Sequence, residues 1–128
     1  MLVVDDEPVV ALFAQTVLER AGYTVMTAVD GLDALQSCRT HVGAIDVLLT
    51  DIQMPRLDGL QLAQCLVDHK LDVPVLFMTG YKSDSELRGQ LRQVQGMDGQ
   101  ALLRKPFTPA RLLDAIEQAL KPPPTVRN

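Results

Sequence analysis

Three carboxylates, a hydroxyl and an amine in this chain each stand at the end of an apolar run of strand length. Asp5 and Asp6 follow the run 1–4, Asp51 follows 47–50, Thr79 closes 74–79, and Lys105 follows 101–104. Carboxylates drawn together repel one another, and their pKa values rise unless a cation neutralises them. Mg²⁺ suits such a cluster, because it takes carboxylate oxygens, keeps several waters and shares its shell with a substrate phosphate. Mn²⁺ has the same taste for oxygen and is the alternative ion. A carboxylate can also act as a nucleophile toward a phosphoryl group when a metal and a side-chain cation hold the equatorial oxygens. Lys105 supplies the cation and Thr79 the hydroxyl. Taken singly, each piece has a commoner structural role: an Asp pair after a strand caps a helix, Lys-Pro makes a turn, and a strand-end Thr packs. Only the combination is specific.

The elements that must position these groups follow from periodicity. Runs 1–4, 24–28, 47–50, 74–79 and 101–104 read as strands, and amphipathic stretches fill the gaps between them. Pro8 opens the first helix, whose stripe is Val10, Phe13, Ala14, Val17, Leu18 and Ala21, and Gly22 ends it in a left-handed cap. Asp30 marks the second helix start, Asp58 with Gln61 the third, and Ser83 with Glu86 the fourth, the last two pairs having capping-box spacing. Gly89 interrupts the fourth helix, whose stripe of Leu87, Leu91 and Val94 is narrow, so it is the element expected to move most. Thr108-Pro109 opens a fifth with Leu112, Leu113, Ile116 and Leu120 on one face, and Lys121-Pro122-Pro123-Pro124 stops it. Strands alternating with helices imply parallel pairing and an open α/β sandwich. The apolar stretches 47–49 and 75–78 suit central strands covered on both faces. Ligands of such a sheet lie outside the carboxyl ends of its strands, which is where the acids, Thr79 and Lys105 gather.

Composition narrows the function. A chain of 128 residues, 47% hydrophobic, fits one domain, read as 1–121 with 122–128 as a tail or linker. A net charge of −4 and a pI near 5.0 argue against nucleic-acid contact by this module itself. No apolar run approaches the roughly 18 residues of a membrane span, so no membrane contact and a cytoplasmic location are expected. Cys38 and Cys65 lack metal-type spacing and read as reduced thiols, while His41 and His69 belong to no strand-end motif and read as surface residues.

The segments Leu2-Val3-Val4-Asp5-Asp6-Glu7-Pro8, Leu49-Thr50-Asp51-Ile52-Gln53-Met54-Pro55 with Asp58-Gly59, Met78-Thr79-Gly80 and Lys105-Pro106-Phe107 resemble receiver domains of the two-component response-regulator family. The likeness spans nearly the whole chain. The phrases at 75–81 and 102–107 look like receivers attached to hybrid sensor histidine kinases, and a stand-alone relay protein is the other reading. The resemblance implies a flavodoxin-like (βα)5 fold with sheet order 2-1-3-4-5. It implies that Asp51 accepts a phosphoryl group from a histidine kinase or histidine phosphotransfer domain in a Mg²⁺-dependent reaction. Asp6 then binds the metal directly, Asp5 mostly through water, and the Gln53 backbone carbonyl completes the protein ligands. Thr79 turns inward to the phosphoryl group, Lys105 pairs with it, and Lys105-Pro106 is cis. Such a domain is a signalling phosphoprotein that promotes its own phosphorylation and dephosphorylation, not an enzyme acting on external substrates. Its output partner reads the face made by the fourth helix, fifth strand and fifth helix. One position departs from the pattern: three residues before the lysine, where many receivers carry a switching aromatic ring, this chain has Leu102. Gln53 and Tyr81, two residues beyond Asp51 and Thr79, are expected to tune the lifetime of the acyl phosphate.

Other classes fit less well. An aspartate-nucleophile phosphatase wants a second acid two residues after the first, where Gln53 stands. A flavin module wants a glycine- or hydroxyl-rich phosphate loop after the first strand, where Asp5-Asp6-Glu7 would repel an anion. A phosphorylation-independent binding module is the remaining alternative, favoured only by Leu102.

Overall fold

The computed structural model describes residues 1–41, 43–54, 56–71, 73–80 and 102–120. Strands form at all five expected places, most of them trimmed at their ends: β1 Leu2–Val4, β2 Met26–Ala28, β3 Leu48–Asp51, β4 Val75–Thr79 and β5 Leu102–Arg104. They pair in parallel in the order β2-β1-β3-β4-β5, the flavodoxin-like order expected. The helices are α1 Pro8–Arg20, α2 Gly31–Thr40, α3 Gly59–Asp68 and α4 Pro109–Leu120. The helix expected after Ser83 lies outside the described residues, so the fifth expected helix is α4. The tail 122–128 lies outside them too.

Local chemistry sets the helix ends. Pro8 opens α1 without a side-chain cap, and Gly22, at φ 99°, closes it. There the Gly22 amide donates to the Glu19 carbonyl and the Tyr23 amide to the Leu18 carbonyl, a Schellman pair. Asp30 caps α2 by accepting from the Asp33 amide. Asp58 and Gln61 form the expected reciprocal capping box on α3. Thr108 Oγ1 accepts the Arg111 amide at the start of α4.

Right-handed crossovers place the layers. The chain steps from β1 out to β2 and then back across to β3, so α1 and α2 fall on opposite faces. Leu2, Val4, Leu48, Val75 and Phe77 pack with Ala34 and Cys38 of α2 and Leu62, Ala63 and Leu66 of α3. The alternate strand residues Val3, Leu49, Leu76, Met78 and Leu103 pack with Ala14 and Leu18 of α1 and Leu112 and Ile116 of α4. Three residues of the expected stripes differ. Ala21 and Leu120, at the C-terminal ends of their helices, are exposed. Phe13, 39% exposed, meets Phe107 in a tilted ring contact with centroids 5.7 Å apart and an interplanar angle of 47°.

Cys38 and Cys65 are free thiols, Cys38 buried in the core, where desolvation pushes its pKa up. His41 and His69 sit at the C-terminal ends of α2 and α3. Each faces Nδ1 to a carbonyl of its own last turn, Ser37 at 3.1 Å and Cys65 at 2.8 Å. Both histidines are thus surface helix-end residues, as the sequence implied. Among the described residues no helix is long and apolar enough to cross a membrane.

Candidate functional site

The chain reverses its direction of travel across the sheet between β1 and β3, and a crevice opens at their carboxyl ends. Asp5 leaves β1 there and Asp51 ends β3. Each carboxylate uses one oxygen to organise its own loop: Asp5 Oδ1 accepts the Glu7 amide at 2.9 Å, and Asp51 Oδ1 accepts the Gln53 amide at 3.2 Å. That leaves both Oδ2 atoms aimed inward, and Lys105 Nζ donates to each at 2.9 Å. The lysine is held at its backbone by its amide, which donates to the Thr79 carbonyl at 2.8 Å. The Lys105-Pro106 peptide is cis, as expected.

Carboxylate oxygens of Asp5, Asp6 and Asp51 all lie within 4.8 Å of one another, with Asp6 exposed at the rim and the other two buried. Burial raises the Asp5 pKa, outweighing its bonds from the Glu7 amide and from Lys105, and the charge of Asp51 adds to the rise. Burial also works against the Lys105 ammonium, but its hydrogen bonds to Asp51 and Asp5 prevail and raise its pKa above 10.5. One ammonium thus serves Asp5 and Asp51, with Glu7 Oε1 at 3.7 Å, while Asp6 adds a further acid to the same cluster. A cluster of hard oxygens carrying excess negative charge fits a hard divalent cation.

The surroundings hold this geometry by close backbone packing. Gly59, first residue of α3, donates its amide to the Ile52 carbonyl at 2.7 Å. A Cβ there would lie 2.9 Å from the Ile52 Cα and closer still to the Asp51 carbonyl oxygen, so only glycine lets α3 approach the end of β3. Thr79 is the buried last residue of β4, one position beyond Met78, which pairs with Asp51. Gln53 is exposed, and its amide ties it to Asp51. Leu102 is partly buried and packs against the core on the α2 and α3 side of the sheet, so the departing switch position is filled by aliphatic contact. Tyr81 lies outside the described residues, as does the fourth-helix part of the expected output face.

The structure therefore brings Asp5, Asp6, Asp51 and Lys105 into one cluster, sets Thr79 beside it, and holds Gln53 to it through the backbone. Sequence reasoning did not find Glu7 near Lys105, the tilted Phe13–Phe107 contact, or a bridge from Asp30 to Arg56. Glu7 stands in the strand-end motif and was legible there; the other two join residues far apart in the chain and carry no local signal.

A model described as response regulator receiver domain matches residues 1–117. The chain is 35% identical over 121 residues to the alkaline phosphatase synthesis transcriptional regulatory protein PhoP of Bacillus subtilis, covering 94% of this chain and 48% of that protein. It is 38% identical over 120 residues to the sensor histidine kinase RcsC of Salmonella typhi, covering 94% of this chain and 12% of that one. The chain thus spans half or less of these relatives. Among solved structures, chemotaxis protein CheY4 of Vibrio cholerae superposes with a TM-score of 0.82 at 27% identity, covering 93% of this chain and 96% of that one.

Proposed function

This chain belongs to the response regulator receiver domain family, a signalling module, and we propose that it takes a phosphoryl group on Asp51 from the phosphohistidine of a histidine kinase or histidine phosphotransfer domain and relays or reports it to a partner. The observation that carries this reading is the convergence of Asp5 and Asp51 Oδ2 on Lys105 Nζ within a cluster of three acids.

In this reading Asp51 Oδ2 attacks phosphorus, the new O–P bond forms as the donor's P–N bond breaks, and the freed imidazole takes a proton. Lys105 moves its donation from the Asp51 carboxylate to a phosphoryl oxygen, holding charge that would otherwise repel the nucleophile. Thr79, at the end of the neighbouring strand, offers its hydroxyl to a second oxygen. Asp6, Asp51 and the Gln53 carbonyl would hold Mg²⁺, with Asp5 acting through water, and the ion supplies neutralisation of the remaining phosphoryl charge, as Mn²⁺ would. Residues 1–121 form the receiver, and its net negative charge disfavours contact with nucleic acid by this module itself.

A protein donor must bring its phosphorus to Asp51 and therefore cover the rim of the crevice. Val9, Val10, Phe13, Pro106 and Phe107 line an apolar groove of about 560 Å³ there, which shares Lys105 with the acid cluster, and Val9 is 80% exposed. That surface suits a donor helix with an apolar face. A phosphorylation-independent binding module is the second reading, favoured by Leu102 in place of a switching ring.

The test is exposure to a small phosphodonor with and without Mg²⁺, read by intact mass, comparing the native chain with Asp51→Asn. One phosphoryl group per chain, dependent on metal and lost in Asp51→Asn, is expected. Modification that ignores either the metal or Asp51 overturns the reading. Phe13→Ala should slow transfer from a protein donor while leaving the small-donor rate unchanged.

A further inference from the structure

The loop between β3 and α3 carries Gln53 and is bonded at its base by the Ile52 amide to the Met78 carbonyl at 3.1 Å and by the Gly59 amide to the Ile52 carbonyl. Its outer side is held by a different part of the chain. Arg56 donates from Nε to Asp30 Oδ2 at 2.8 Å and makes a second contact to the same oxygen through Nη2. Asp30 is 5% exposed, and its other oxygen caps α2 at the Asp33 amide, 2.9 Å away. Asp33 returns a bond by accepting the Val29 amide at 3.2 Å, so the anchor is itself stapled at both ends. Next to it, a Cβ on Gly31 would lie 2.7 Å from Leu57 Cβ and closer still to the Leu57 carbonyl oxygen. The start of α2 is thus seated directly against the loop.

Arg56 adopts φ 68°, a left-handed conformation that costs a side-chain-bearing residue free energy. A guanidinium bonded to a buried carboxylate offsets that cost and selects this one path for the loop. The bridge spans 26 residues of sequence and touches neither the acid cluster nor Lys105. Gln53 lies in the chain between the Ile52 anchor and Arg56.

We propose that Asp30 and Arg56 are positioning residues that preorganise the Gln53 backbone for the divalent cation, coupling the α2 N-terminus to the affinity of the acid cluster. This rests on the metal-dependent phosphoacceptor reading above. Partners that orient a ligand without touching the ion commonly set metal affinity by ten-fold or more.

The experiment is a Mg²⁺ titration of the full chain followed by amide NMR shifts, on the native protein, Arg56→Gln, Arg56→Lys, Asp30→Asn and the Asp30→Asn/Arg56→Gln pair, with metal-free Tm measured alongside. Arg56→Gln should raise the Mg²⁺ Kd about ten-fold and shift the Gln53 amide of the metal-free protein. Arg56→Lys should recover part of the affinity, and the double variant should bind no worse than the weaker single variant. Variants that melt lower yet bind Mg²⁺ as the native chain does, or single effects that simply add, overturn the proposal. A native chain that shows no Mg²⁺-dependent shift at Asp5, Asp6 and Asp51 overturns the phosphoacceptor reading beneath it, and this one with it.

Discussion

Asp5 and Asp30 are both buried, 3% and 5% exposed, yet the fold treats their charges in opposite ways. Asp30 sits at a helix start, where the Asp33 amide and then Arg56 hold its pKa below the ordinary 3.8. Asp5 sits at a strand end, where burial raises its pKa despite the Glu7 amide and Lys105. Each acid has a backbone donor and a cationic partner. The difference is company: Arg56 serves Asp30 alone among the contacts described, whereas Lys105 is shared with Asp51 and Glu7. Asp30 has a cation to itself, whereas Asp5 is left short of positive charge, the condition that would suit a further cation.

The largest test of this contrast removes the shared cation. Lys105→Met leaves Asp5 and Asp51 with no cationic partner among the described residues, and should cost about 3 kcal/mol at pH 7 without divalent metal. The loss should shrink toward pH 4 as Asp5, whose pKa burial raises, takes up a proton, and phosphotransfer should fall about 100-fold or more. Urea melts at the two pH values with a small-phosphodonor rate check both; an equal stability loss at both pH values would dissolve the contrast.

A smaller effect of opposite sign is expected for Asp5→Asn. A carboxyl whose folded pKa is raised favours folding most below 3.8 and loses ground as pH rises through the folded value. Replacing it with a neutral isostere should therefore stabilise the metal-free protein at pH 7 by about 1 kcal/mol, on the order of 4 °C in Tm. Calorimetry with and without Mg²⁺ separates that gain from the accompanying loss of metal affinity.

Asp30→Asn should act least and in the other direction, since asparagine still caps a helix. A lowered folded pKa contributes stability above 3.8 that is lost as pH falls through the lowered value. The variant should melt below the native chain at neutral pH and converge with it in acid. A gap that persists unchanged in acid would mean that the Asp30 charge contributes nothing.

Much of the frame was legible because its signals are local. Gly22 closes α1, and Asp58 with Gln61 caps α3, through bonds within a few residues of each other. The apolar runs 47–49 and 75–78 became β3 and β4, central and buried, because a strand covered on both faces cannot alternate. Phe13 was less legible: its spacing fits the buried stripe of α1, but it is 39% exposed and meets the ring of Phe107. The Asp30–Arg56 bridge was not legible, because its residues meet only where the start of α2 packs against the loop between β3 and α3.

By itself the sequence determined which groups end each strand and in what order, since strand runs, helix periods and caps depend on residues within about four positions of one another. It also determined the excess of acid over base at those ends. Only the tertiary structure decided that Lys105 bonds Asp5 and Asp51 together, across 100 and 54 residues, and that burial raises the Asp5 pKa while the Asp33 amide and Arg56 lower that of Asp30. Those outcomes depend on sheet order, burial and which cation is shared, and all three arise only when distant segments are packed into register.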